Sequence, residues 1–146
     1  THVIAKLKGD VVIFKGKNDG DEINEEFDLD GYPWIQIFPM NPGLNEWIMS
    51  DEEEIRFWII GNAGPADMEI NKFVAEKEES ETLRILNNNI DCWNIEITLS
   101  GWKSMFWTGN YFYSKKNMRV VKYDGGGAPG SPGSITTIIY EMNNKQ

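Results

Sequence analysis

The sequence predicts an all-β protein, a single-domain antiparallel β-sandwich or jelly roll over residues 1–146 with little helix. Three observations lead there. Apolar residues recur at every second position in several segments, the period of a half-buried strand. Gly, Pro, Asn and Asp break the chain into short runs at roughly 8–12-residue spacing, as in sandwiches and barrels. No segment carries a sustained helical period: Glu76–Glu81 is too acidic and short for more than one exposed turn. Asp51–Glu54 after Ser50 caps at most a turn before the next strand.

The strands follow in order. Val3–Leu7 and Val11–Lys15 flank Gly9-Asp10, a tight hairpin turn. Trp34–Phe38 is bounded by Gly31-Tyr32-Pro33 and by Pro39. Ile55–Ile60 is apolar on both faces and reads as central. Cys92–Leu99 alternates most cleanly, with Trp93, Ile95, Ile97 and Leu99 on one side and Cys92, Asn94, Glu96 and Thr98 on the other. Met118–Tyr123 and Ile135–Tyr140 are rich in β-branched residues, which suit a pleated surface. Shorter strands are expected at Met68–Val74, Leu83–Leu86, Ser104–Trp107 and Tyr111–Tyr113. Gly125–Ser134, rich in Gly, Pro and Ser, reads as a flexible hairpin loop inside the domain.

Composition narrows the function. The chain has 146 residues, 14 Lys+Arg against 23 Asp+Glu, and a net charge of −9. Residues 1–81 hold 7 basic and 19 acidic side chains, and the remainder 7 and 4. Such a surface repels phosphate backbones, so no nucleic-acid partner is expected. No apolar run reaches the length of a spanning helix, so no membrane insertion is expected either. One Cys and one His exclude an internal disulfide and a Cys- or His-based zinc site. The lone Cys92 fits a reducing compartment, which leans the location to the cytoplasm.

Motifs for cofactors and catalysis fail on their contexts. Gly125, Gly127 and Gly130 spell a dinucleotide fingerprint, but Pro129, Pro132 and a β-branched run follow where a helix must start. No cofactor is therefore expected. Glu26, Asp28, Asp30 and Gly31 begin like an EF-hand loop, but Ile37 stands at the twelfth position, which needs a bidentate acid. A looser Ca²⁺ site built from Asp19, Asp21, Asp28 and Asp30 in loops at one end of a sandwich stays open. Cys92 has no second His to serve it as base, and no Gly-x-Ser-x-Gly occurs. The expectation is a protein that is not an enzyme.

The aromatic residues are the informative group. Gly101–Tyr113 carries Trp102, Phe106, Trp107, Tyr111, Phe112 and Tyr113. A strand with consecutive rings must send them to both faces, and some then lie at the surface unless a second layer covers them. Trp102, Phe106, Trp107, Tyr111 and Tyr113 are the candidate ligand-binding residues. Trp34, Trp58 and Trp93 sit in strong strands and are expected in the core.

Two stretches resemble MATH (TRAF-like) domains: Gly31-Tyr32-Pro33-Trp34-Ile35-Gln36-Ile37-Phe38-Pro39, and Gly101-Trp102 with Met105-Phe106 and the strands after it. The resemblance covers about a third of the chain. It implies a TRAF-like antiparallel sandwich that binds short peptides along a shallow groove. The matched positions are scaffold residues, and they carry over no ligand contact.

The expected function is non-covalent recognition of a protein or peptide through an aromatic-lined groove or a sheet edge. The acidic first half favours a basic partner. A glycan-binding, lectin-like domain is the alternative, with the same rings stacked on sugars. A structural subunit whose rings are buried between copies in an oligomer is the third reading.

Overall fold

A computed structural model of the chain describes residues 2–35, 42–62, 68–126 and 134–137. It is an all-β protein with two antiparallel sheets. The strands are β1 (His2–Lys8), β2 (Val11–Asn18), β3 (Asp21–Asp28), β4 (Glu54–Asn62), β5 (Met68–Lys77), β6 (Glu81–Ile85), β7 (Asn88–Leu99), β8 (Thr108–Ser114), β9 (Val120–Gly126) and β10 (Ser134–Thr137). One sheet runs β1-β2-β3; the other runs β10-β9-β8-β7-β5-β4, with β6 also paired to β7. A single helical turn, α1 (Asn45–Ile48), follows a 3-10 turn at Pro42–Leu44. No helix among the described residues is long and apolar enough to cross a membrane.

The chain divides into two compact units. Residues 1–37 and 56–73 form the first, and residues 38–55 and 74–146 the second.

The first unit is a small sandwich. Val12 and Phe14 of β2, Ile23 of β3, Leu29 and Ile60 form its core. Trp34, Trp58, Met68 and Ile70 pack around them, which lays the three-stranded sheet on the β4–β5 ribbon. The turns obey local chemistry. Gly9-Asp10 joins β1 to β2 as expected, with Gly9 at φ +61°. Asp19-Gly20 joins β2 to β3 with both residues at positive φ, the signature of a two-residue hairpin. The Asp10 carboxylate accepts the Gly31 N–H at 2.7 Å. The Trp58 indole N–H donates to the Leu29 carbonyl at 2.7 Å.

Strand β3 was not expected from the sequence. Five of its eight residues are acidic, and only Ile23 and Phe27 reveal the inward face. Glu25 shares that face, and its carboxylate accepts the Met68 N–H at 3.1 Å. The acid thus satisfies a backbone donor at the start of β5, so it is not left as an unpaired charge. Trp34 forms only an isolated parallel bridge to Trp58 where a strand was expected, and Gln36–Phe38 of that segment lie outside the described residues.

In the second unit both faces of the central strands are covered. Ile95, Ile97, Tyr113 and Val120 are buried on one face of β7, β8 and β9, the side the alternation marks. On the other face Cys92, Phe112 and Val121 form a second cluster with Leu83, Ile85 and Ile90. The expected polar face of β7 is therefore half apolar. Its polar part is satisfied internally: the Asn110 amide donates to the Asn94 side-chain oxygen at 3.0 Å. α1 buries Trp47 and Ile48, and Leu44 ahead of it is buried too.

Ser104–Trp107 is not a strand. Gly101–Phe106 forms a 3-10 turn, because Gly101 adopts φ +70° and turns the chain out of β7. Gly125 and Gly126 close β9, and Ser134 pairs with Gly125 at the start of β10. Residues 127–133 of the expected loop, and Ile138–Tyr140 of the expected last strand, lie outside the described residues.

Candidate functional site

Among the described residues of the second unit, the β7–β8 connection gathers three exposed apolar side chains. The two strands still pair at Thr98 and Thr108, so the segment between them is held at both ends. Within it Trp102 is 72% exposed, Met105 73% and Phe106 41%. A 3-10 turn brings residues three apart onto one face, which places Trp102 above Met105. The Trp102 and Phe106 rings meet edge to face, with centroids 5.4 Å apart and planes at 85°. Trp107 then returns to extended backbone and leads into β8. Large apolar side chains left in water are unfavourable on an ordinary surface, which makes a patch of two rings and a methionine informative.

The structure separates the five expected binding residues. Trp102 and Phe106 stand at the surface. Trp107 is half-buried. Tyr111 is half-buried against Tyr123, ring centroids 4.7 Å apart. Tyr113 is 2% exposed and is sealed among the strands, so it offers no surface to a ligand. The alternation explains the split: Tyr111 and Tyr113 point to the same face as Trp93 and Ile95, their partners in register. Met105 was missed, although its place three residues after Trp102 in a turn would have found it.

Lysines cover the other surplus rings. The Lys72 ammonium lies 4.2 Å from the Tyr32 ring centre and 4.5 Å from that of Trp58. Lys115 sits 4.2 Å over Trp93, Lys122 4.7 Å over Phe112 and Lys77 5.2 Å over Trp47. Each such contact is worth about 0.5–1 kcal/mol at an exposed site. The expected core tryptophans Trp34, Trp58 and Trp93 are half-buried, and Trp58 and Trp93 take a lysine on their ring faces.

The four acids of the candidate Ca²⁺ site are not brought together. Asp19 and Asp21 lie at the β2–β3 turn, whereas Asp28 pairs with Val11 at the opposite end of the hairpin, seven residues along β3. At about 3.3 Å per residue the two pairs stand roughly 23 Å apart. Asp28 is engaged locally, accepting the Asp30 N–H at 2.9 Å. Ligand oxygens of Glu76, Glu78 and Glu96 do lie within 4.8 Å of one another in the second unit. Exposed acids often cluster in this way on a sheet, and nothing else at that spot points to a ligand.

The titratable groups with perturbed values are structural. Burial, then the Asp91 and Glu81 charges, pushes the Cys92 thiol up to about 11. The thiol stays protonated and lies 3.4 Å from the Ile90 carbonyl oxygen, to which it donates. Burial, and then the neighbouring Tyr123, raises Tyr111 to about 12. Burial, with Tyr111 next, raises Tyr113 further. The sign follows directly. A phenol held neutral in the folded state favours folding below its unfolded pKa, and that advantage is lost as pH climbs toward the folded value. Stability should fall between pH ~10 and ~12. Tyr111→Phe should flatten that fall in a series of melts at rising pH; an unchanged slope would remove Tyr111 from the account.

Comparison with protein-family models, with curated proteins and with solved structures finds no match to this chain.

Proposed function

We propose that the protein is a non-catalytic recognition module that docks a protein partner by inserting Trp102, Met105 and Phe106 into an apolar pocket. The observation that carries this is the exposed ring pair on a turn whose two ends are fixed in neighbouring strands. A fixed turn loses little conformational entropy on binding, and a protruding Trp is the commonest kind of interface anchor. Burial of each ring in a partner would contribute about 2–3 kcal/mol. Peptide binding is also what the resemblance to MATH domains implies. The net charge of −9 favours a basic partner.

The ring geometry argues against the lectin alternative. A sugar stacks on an open ring face, and several coplanar rings make a platform. Trp102 and Phe106 stand nearly perpendicular, the form of a knob. The test compares the chain with its Trp102→Ala/Phe106→Ala variant on a peptide array and a glycan array. The variant should keep its melting temperature within about 2 °C, because both side chains are exposed. Peptide retention should drop by about tenfold or more. Glycan retention with a blank peptide array, or peptide retention indifferent to the two substitutions, would overturn the proposal.

A further inference from the structure

The three-stranded sheet of the first unit has two open edges of opposite charge. β1 pairs only with β2, and β3 only with β2, among the described residues. β1 is exposed along nearly its whole length, with Ile4 58% and Leu7 54% exposed. Its only charged side chains are Lys6 and Lys8, with His2 at its start. β3 carries Asp21, Glu22, Glu25, Glu26 and Asp28 and no base.

The register puts Lys6 and Lys8 on one face with Glu22, Glu26 and Asp28, while Asp21 and Glu25 lie on the other. Lys8, Val11 and Asp28 lie in one row across the sheet; Lys6, Ile13 and Glu26 in the next in-phase row. Ile4, Lys15 and Asn24 follow, and then His2, Lys17 and Glu22. This is the face opposite Val12 and Phe14, which point to the core. In every row that begins with a charge or an imidazole, an acid ends it. The row of His2 already pairs its charges inside the chain, where Lys17 Nζ lies 3.8 Å from Glu22.

We infer that a second copy of this chain extends the sheet, its β1 pairing with the open edge of β3. β1 and β3 run in the same direction, because each is antiparallel to β2. A copy added in the same sense and without stagger sets its Lys8 beside Asp28, its Lys6 beside Glu26 and its His2 beside Glu22. The free N–H and C=O groups of both edges then gain partners. The contact is head-to-tail. It leaves one basic and one acidic edge open after each addition, so it builds rings or filaments rather than closed twofold dimers. It uses neither Trp102 nor Phe106, so its failure leaves the docking knob untouched.

Lysines on an edge strand also serve to repel other strands, and the experiment separates the two roles. Sedimentation of the chain over a concentration series at low salt should show a weight-average mass reaching at least about twice the monomer's. That mass should fall back to the monomer's at about 1 M salt, where screening acts within about 3 Å. Lys6→Glu/Lys8→Glu should be monomeric, and so should Glu26→Lys/Asp28→Lys. Mixing the two variants should restore assembly, because each then offers the other complementary edges; this recovery excludes misfolding as the cause of either loss. A chain that stays monomeric at every concentration, or an assembly indifferent to both charge reversals, overturns the inference.

Discussion

Replacing Gly16 by valine should strip β1 from its sheet. Gly16 sits at φ +155° opposite Val3. A Cβ added there would run into the His2 carbonyl oxygen and lie 2.8 Å from the Val3 Cα. These are backbone atoms, so no side chain can turn aside, and the strand itself must move. A β-branched residue adds backbone strain to the clash. The expected loss is about 2–4 kcal/mol, or roughly 10 °C in Tm for a chain of this size. Hydrogen exchange locates the damage: amides of His2–Lys8 should lose protection while those of β7 and β8 keep theirs. Unchanged protection in β1 would show that the sheet accommodates the side chain. The same variant should abolish any pairing of β1 with a second copy.

Gly125→Val should cost a similar amount by another route. Gly125 and Gly109 are register partners on β9 and β8, and the Tyr123 ring lies over both. Its phenol end occupies the place a Cβ on Gly125 would take, and its Cε2 lies 2.8 Å from a Cβ on Gly109. The two glycines thus give the ring its seat, and the ring covers backbone that glycine leaves bare. A valine at 125 must push Tyr123 out, which exposes the ring and opens space beside Tyr111. The expected cost is about 2–3 kcal/mol. Tyr123→Ala alone should cost nearly as much. In a Tyr123→Ala background Gly125→Val should cost under about 1 kcal/mol, since the obstructing ring is gone. Additive losses would mean that the valine strains the strand itself.

The sequence by itself determined the all-β class and most strands, because alternation is a local property. In Cys92–Leu99 every second residue states which way it points, and the pairing with β8 keeps that order. Gly9-Asp10 was legible for the same reason, since a turn depends on its own two residues. β3 was not: burial needs only Ile23 and Phe27 on one side, and the acids between them read as loop. Its pairing with β2 comes from the rest of the sheet. Gly101 hid a 3-10 turn in a run of aromatics that reads as strand, because one positive φ redirects the five residues after it. The fate of the rings was settled only in three dimensions. Lys72, Lys77, Lys115 and Lys122 cover Tyr32, Trp58, Trp47, Trp93 and Phe112, and Tyr113 is enclosed between strands. Ring exposure is a balance of neighbours contributed by distant parts of the chain. The tertiary structure therefore decided that Trp102, Met105 and Phe106 remain in water, and that opposite charges end on opposite edges of one sheet.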